Sequence, residues 1–283
     1  MTATTAARTA ISREPGLFAV GLAGWLLATV CLVAVGIHGR HLEPEGKLLD
    51  AATFCFGVGL YVLTVAMLLP VAGFSDTARR RWRRAFYVFP VYGFVIEPLQ
   101  SFRGIDPRFT DEGEPIDGIA GALFGVTAVL TTVLFLLLAV QFFRRGVLAD
   151  RPVLLLGVRY GVVSVVFSFG VGVIMSVNRG RELGDDGDLI LAHAIGVHGL
   201  QTMPILALAV MASTLSQPGR RVHVAGAAWL TACIGALLQA LFDEAPMEPA
   251  PLSVLTLVAL VTWSVTTATA LVSSVQSARL RTT

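Results

Sequence analysis

Charged residues are scarce in this 283-residue chain. They make up 14% of it, against roughly 25% of an average soluble domain. Hydrophobic residues make up 55%, and the mean hydropathy is +0.74. This balance excludes a soluble enzyme, a disordered chain and a nucleic-acid-binding protein. It indicates a membrane protein, whose first partner is the lipid bilayer.

Cysteine and lysine are also rare. The three cysteines, Cys31, Cys55 and Cys233, lie in apolar stretches without paired spacing. They therefore imply neither a disulfide framework nor a thiolate metal site. The only lysine, Lys47, lies in a loop between two apolar stretches. A retinal Schiff base inside the membrane is therefore excluded.

Eight stretches are long and apolar enough to cross a hydrocarbon core, which needs about 20 helical residues. The third is the most polar, because it contains Pro90, Glu97, Pro98 and Gln100. It is retained as a span because its neighbours require a crossing there. The predicted fold is all-α, a polytopic membrane bundle of eight transmembrane helices. The spans are expected near residues 17–37, 50–73, 85–103, 119–143, 153–177, 189–213, 222–242 and 252–274.

The distribution of arginine predicts the orientation of these spans, because short cytoplasmic loops are rich in basic residues. Six basic residues lie on the opposite side or at its helix ends, and so do sixteen of the 19 acids. Both termini are therefore predicted to be cytoplasmic, in a bacterial plasma membrane. The fourteen basic residues of the cytoplasmic side are Arg8, Arg13, Arg79, Arg80, Arg81, Arg83, Arg84, Arg144, Arg145, Arg151, Arg220, Arg221, Arg279 and Arg281.

No long loop interrupts the spans, so one transmembrane domain is predicted over residues 17–275. Residues 1–16 and 276–283 are then cytoplasmic tails. Two sets of four spans permit a parallel internal repeat. However, the correspondence of Asp50 before span two with Asp188 before span six is no better than chance.

Glu97 is the clearest polar group inside a span. An ionisable residue there faces the bundle interior by default and has a partner. Glu97 lies about 9 Å below Arg103 at the outer end of span three, and Gln100 lies on nearly the same face. Glu97 is therefore a candidate functional residue, the alternative being a neutral, hydrogen-bonded packing residue.

Span six supplies a matching set of polar residues. His193, His198 and Gln201 share a broad helix face. The two histidines lie roughly 6 and 13 Å below the outer end of this span, which brackets the depth of Glu97. We therefore predict that Glu97 reaches at least one histidine, directly or through one water, in a cavity that opens outward.

Part of this pattern resembles a known group of proteins. The group consists of uncharacterised multi-pass membrane proteins of bacteria, chiefly actinobacteria, and the resemblance covers roughly spans three to six. Its third span ends in Arg-Gly followed by a segment containing Ser-His-Phe-Asn, where this chain has Pro-Arg-Phe-Thr. The resemblance implies a bacterial membrane protein but no activity, since none is known for the group. The residues that carry it are Glu97, Gln100, Arg103, Gly104, Phe109 and the stretch 187–204.

The preferred function is a membrane-embedded enzyme or ligand-binding protein for a lipid-like or small hydrophobic molecule. In an enzyme, Glu97 and a histidine (His193 or His198) would handle protons, while Gln100, Arg103 and Gln201 orient the substrate. The cofactor, the substrate and the oligomeric state are left open.

Two alternatives stay open. The first is a small-solute or ion-coupled transporter, although the inner halves of the spans offer mainly Arg159 and hydroxyl groups as relay groups. The second is a haem- or metal-binding protein. Its candidate metal ligands are His193, His198, Glu97 and His41, because the i, i+5 spacing of the histidine pair requires ligands from other segments.

Overall fold

The computed structural model describes residues 11–246 and 248–280 and is mostly helical. Arg8 and Arg281, used in the orientation argument, lie outside the described residues. The chain forms two compact units, the first ending at Gln141 and the second beginning at Phe142. Each unit is described by itself below.

The elements described in the first unit are five helices and one short β-hairpin. A 3-10 turn, Leu69–Val71, extends its second helix. The two strands are antiparallel, and His41 pairs with Lys47. The elements are α1 (Pro15–His38), β1 (His41–Leu42), β2 (Gly46–Lys47), α2 (Leu48–Leu68), α3 (Asp76–Phe86), α4 (Val88–Phe102) and α5 (Pro115–Gln141).

The second unit contains four long helices and a second hairpin of the same kind. Its strands are again antiparallel, and Glu182 pairs with Asp188. The elements are α6 (Pro152–Val177), β3 (Glu182–Leu183), β4 (Gly187–Asp188), α7 (Ile190–Ala212), α8 (Pro218–Leu241) and α9 (Pro251–Leu280).

Among the described residues, seven helices are long and apolar enough to cross a membrane: α1, α2 with its 3-10 turn, α5, α6, α7, α8 and α9. They correspond to seven of the eight predicted spans. The third predicted span differs, because α4 has only 15 residues and is therefore only about 22 Å long.

The helical path nevertheless continues from α3 into α4 through a single turn residue, Tyr87. This residue keeps helical angles, φ −61° and ψ −25°. Its amide bonds the Arg83 carbonyl at 3.2 Å, and its carbonyl accepts from Val91 at 3.1 Å. The break occurs there because Pro90 has no amide hydrogen to donate to the carbonyl of Phe86. A polar, proline-containing sequence therefore makes a bent helix.

Small residues let neighbouring helices approach closely. A Cβ atom at Gly161 on α6 would lie 2.7 Å from the carbonyl oxygen of Gly199 on α7. In the first unit, a Cβ atom at Gly59 on α2 would lie 2.8 Å from the carbonyl oxygen of Gly21 on α1. Any larger residue would separate these helices. The glycines therefore serve close packing in lipid.

The two units repeat one pattern, with each residue of the second hairpin 141 positions after its counterpart. His41 corresponds to Glu182 in the strand pairings. The Leu48 amide bonds the Arg40 carbonyl at 2.9 Å, and the Leu189 amide bonds the Arg181 carbonyl at 2.8 Å. The repeat therefore includes the backbone hydrogen bond that closes each hairpin.

The same offset aligns the buried residues of α2 and α7. At each of six aligned pairs both side chains are almost fully buried, and three of the pairs are identical. The pairs are Leu48 and Leu189, Ala51 and Ala192, Val62 and Met203, Val65 and Leu206, Ala66 and Ala207, and Leu69 and Val210. The repeat is therefore carried by burial and hairpin geometry, and its register differs from the pairing of Asp50 with Asp188.

Candidate functional site

Glu97 forms a buried ion pair in the first unit. Its side chain is 1% exposed. One guanidinium nitrogen of Arg108 lies 2.7 Å from each carboxylate oxygen. The guanidinium also lies between two aromatic rings, 5.3 Å from the centre of Phe54 and 5.1 Å from that of Phe124. Glu97 therefore has a fixed cationic partner from the segment that follows α4.

A second ion pair involves the other two predicted residues of α4. Arg103 donates to both carboxylate oxygens of Asp117, at 2.5 and 3.2 Å. The amide nitrogen of Gln100 donates to Asp117 at 2.8 Å, and its oxygen accepts from Arg103 at 2.5 Å. Both polar atoms of Gln100 are therefore paired. The hydrogen bond to Asp117 also raises the pKa of Arg103.

The segment between α4 and α5 is held by Glu45 of the hairpin turn. Its carboxylate accepts from the Thr110 hydroxyl at 2.5 Å and from the amides of Asp106 and Asp111 at 3.2 and 2.9 Å. Burial raises the pKa of Glu45, but these hydrogen bonds lower it, and the net pKa is below its usual value. This contact fastens the hairpin to the segment that carries Arg108.

His193 in the second unit is bonded to α6 through Ser168. Its Nδ1 lies 3.0 Å from the Ser168 carbonyl oxygen and 3.1 Å from the Ser168 hydroxyl. The hydroxyl in turn donates to the His193 carbonyl at 2.8 Å. Because a carbonyl oxygen only accepts, this arrangement assigns the proton of the neutral ring to Nδ1. Nε2 is then the accepting nitrogen.

His198 and Gln201 form a second polar pair on α7, through a side-chain hydrogen bond. Deeper in the same unit, the indole nitrogen of Trp229 donates to the Ser164 hydroxyl at 2.9 Å. That hydroxyl donates to the Gly196 carbonyl at 2.7 Å. The second unit therefore contains half-buried histidines as well as buried amide, hydroxyl and indole groups.

Gln239 on α8 is the counterpart of Gln100 at an offset of 139 residues, two fewer than in the hairpins. Contacts with the hairpins support this alignment, because a Cβ atom at Gly46 would meet the carbonyl oxygen of Ser101 and one at Gly187 would meet that of Ala240. Each helix ends with the same backbone bond, to Gln100 from Ile105 and to Gln239 from Glu244, both at 2.9 Å. Each glutamine is 2% exposed. However, among the described residues neither the amide oxygen nor the amide nitrogen of Gln239 has a hydrogen-bond partner. Phe242 occupies the place of Arg103.

The structure divides the predicted residues between separate contacts. In the first unit, Glu97 pairs with Arg108, while Gln100 and Arg103 pair with Asp117. In the second, His193 bonds to Ser168, while His198 pairs with Gln201. The predicted approach of Glu97 to a histidine involves both units and stays a prediction. His41 is exposed on β1. The described residues contain no group of three or more His, Cys, Asp or Glu side chains that could hold a metal ion.

Sequence reasoning missed Arg108, Asp117, Ser168 and Gln239. Asp117 fell just before the predicted start of the fourth span, although an acid in the first turn after Pro115 is a helix-start signal. Gln239 carries no local signal, since only its correspondence with Gln100 identifies it.

In comparisons with family models, curated proteins and solved structures, nothing matches this chain.

Proposed function

We propose that this multi-pass membrane protein binds a lipid-like or small hydrophobic molecule in the outer half of the second unit. The observation that carries the proposal is Gln239. An amide buried without partners costs about 1–3 kcal/mol for each unsatisfied group. A ligand that donates one hydrogen bond and accepts another would remove that cost. Its counterpart Gln100 needs no ligand, because Asp117 and Arg103 pair with both of its polar atoms.

The side chains that we propose for the ligand favour an uncharged polar head group. Ser168, His193, His198, Gln201 and Gln239 include no carboxylate and no permanent cation. A charged ligand would lose its hydration without gaining an opposite charge from these side chains. A hydroxyl, carbonyl or amide attached to an apolar body matches these side chains better.

If the ligand is also a substrate, His193 is the residue we propose to accept its proton. The bond from Nδ1 to Ser168 leaves Nε2 as the basic nitrogen of the neutral ring. His198 and Gln201 would then orient the substrate. For Glu97, Gln100 and Arg103 we propose a stabilising role, because carboxylates and guanidinium groups of the first unit already neutralise one another.

The inner-half polar groups favour binding over transport. The hydroxyls of Thr64 and Thr132 donate to carbonyls of their own helices, at 2.8 and 3.0 Å. Arg159 donates to the Phe142 carbonyl at 2.9 Å and lies over the Phe143 ring. These groups stabilise helices and loops and offer little to a solute crossing the membrane, whereas the buried hydroxyl of Thr131 has no hydrogen-bond partner among the described residues.

The location and sidedness belong to the same proposal. We infer a bacterial plasma-membrane protein with both termini in the cytoplasm, supported by the arginine distribution. The bent α3–α4 path supports an eighth crossing, since residues 85–102 would extend about 27 Å along the helix axis.

Mass spectrometry of the purified protein tests the proposal. The full-length protein and two variants, Gln239→Leu and Gln276→Leu, are purified in mild detergent and extracted with organic solvent. Gln276 is exposed on α9 and is the matched control. We expect one neutral amphipathic compound at near-stoichiometric amount in the wild type and the control, and a loss of tenfold or more in Gln239→Leu. A wild-type extract without such a compound would contradict the proposal. Absorption spectra and elemental analysis of the same samples test the haem and metal alternatives.

A further inference from the structure

Helix α3 is amphipathic, with one face packed into the first unit. Its N-cap is Ser75, whose hydroxyl accepts from the Ala78 amide at 3.3 Å. Trp82 and Phe86 are buried and stacked 4.7 Å apart. The indole nitrogen of Trp82 donates to the Leu134 carbonyl at 2.7 Å. These contacts fix which face of α3 points away from the unit.

The five arginines of α3 divide into two groups. Arg83 and Arg79 lie 2.7 and 3.5 Å from the carboxylate of Glu14, which is fully buried. The other three, Arg80, Arg81 and Arg84, are exposed. None of these three forms an ion pair with a carboxylate in the part of the chain that the structure describes. The face of α3 that points away from the first unit therefore carries three positive charges, and no described acid neutralises them.

A shallow apolar groove begins directly after this charged face and is open to its surroundings over most of its extent. It is lined by side chains of the continuing helical path alone: Tyr87, Val88, Val91, Tyr92, Val95 and Ile96.

The charged and apolar surfaces lie on one helical stripe. Arg80, Arg84, Val88, Val91 and Val95 follow one another at intervals of four, four, three and four residues, the spacing of a single helix face. All five are exposed. Because Tyr87 keeps helical angles, the stripe passes from α3 into α4 and joins guanidinium groups to the mouth of the groove.

We propose that this stripe is a binding site for an anionic phospholipid. Arg80, Arg81 and Arg84 bind the phosphate of its head group, and one acyl chain lies in the groove along α4. Charge complementarity supports this ligand, because guanidinium groups bind phosphate oxygens with two parallel hydrogen bonds. An acidic peptide would match the arginines but would leave the adjoining groove unfilled. All the residues of this site belong to the first unit.

Native mass spectrometry of the full-length protein tests this site. The protein is delipidated in detergent and titrated with phosphatidylglycerol or phosphatidylcholine of the same acyl chains. Each juxtamembrane arginine contributes on the order of 1 kcal/mol to binding of anionic lipid. Replacing Arg80, Arg81 and Arg84 together by glutamine should therefore weaken the tightest phosphatidylglycerol site about 100-fold.

The matched control replaces Arg144, Arg145 and Arg220 of the second unit by glutamine, which removes the same charge without changing the stripe. It should weaken that site less than threefold. A Val91→Trp variant fills the groove without changing charge and should also lose the tight site, whereas Val126→Trp, at an exposed position on α5, should keep it. Equal loss in the two arginine triples, or equally tight binding of phosphatidylcholine, would overturn the proposal. So would a tight site that survives Val91→Trp.

Discussion

Two corresponding glutamines are expected to respond to the same mutation with opposite signs. Gln239→Leu removes a buried amide that has no partner among the described residues. Leucine has a similar volume and no polar group, so the cost of desolvating the amide disappears. Each unsatisfied buried group costs about 1–3 kcal/mol. We therefore expect Gln239→Leu to raise the free energy of unfolding by about 1–3 kcal/mol.

Gln100→Leu should have the reverse effect. It removes the 2.8 Å bond to Asp117 and the 2.5 Å bond from Arg103. Hydrogen bonds to charged groups are worth about 1.5–3 kcal/mol each. Arg103 and Asp117 still pair with each other after the mutation, which limits the loss. We expect a destabilisation of about 2–4 kcal/mol.

Thermal unfolding of delipidated protein in one detergent measures both effects. Delipidation matters because a ligand bound at Gln239 would stabilise the wild type alone. A change of 1 kcal/mol moves the midpoint by about 2–4 °C in chains of 150–250 residues. Gln276→Leu, at an exposed position, should leave the midpoint nearly unchanged. A lowered midpoint in both Gln239→Leu and Gln100→Leu would refute the distinction between the two glutamines.

The remaining predictions concern pH, sidedness and His193. The lowered pKa of Glu45 means that its stabilising effect is complete above its unfolded pKa, about 4.3, and is lost as the pH falls through the folded value. Wild type should therefore lose more stability than Glu45→Gln between pH 5 and pH 3, in midpoints measured at about half-unit steps; parallel curves would contradict this. Reporter fusions after Arg84 should read cytoplasmic and fusions near Asp186 external, and an external signal at Arg84 would exclude the eight-span topology. His193→Ala should abolish any turnover by the ligand-bound protein without releasing the ligand, as followed by product formation and extraction; unchanged turnover would exclude His193 as the base.

Seven of the spans could be predicted from the sequence because each is a long apolar run, and run length alone identifies a membrane helix. The α3–α4 segment could not be described as well, since Pro90 shifts the helix break to Tyr87 through a missing hydrogen bond. Hydropathy does not register that effect. The same limit applies to the charged α3, which is helical because it packs Trp82 and Phe86 rather than because it is apolar.

The candidate site was predicted only in part, because partners come from distant positions. Sequence reasoning found Glu97 but not its partner Arg108. Arg108 lies on the loop after α4, and its side chain reaches back to the Glu97 carboxylate. It also considered a repeat in the wrong register, since it compared the acids Asp50 and Asp188. The true correspondence lies in buried leucines, alanines and hairpin bonds, which are too common to stand out in a sequence. Gln239 became recognisable only from the helix-end bond that it shares with Gln100, at an offset two residues shorter than that of the hairpins.

The repeat also yields a prediction for the ion pair of Glu97 and Arg108. Ala236 occupies the place of Glu97 in the second unit, which still forms the same hairpin and buries the same positions of its second helix. The fold pattern therefore does not require a carboxylate there.

Arg108→Met alone leaves the buried Glu97 without its cation, which costs about 3–5 kcal/mol. The double variant Glu97→Leu, Arg108→Met removes both charges and keeps apolar side chains between Phe54 and Phe124. We expect it to unfold within about 1 kcal/mol of the wild type, in the same thermal assay. A double variant as unstable as Arg108→Met alone would show that the pair itself, rather than the avoidance of an unpaired charge, stabilises the first unit.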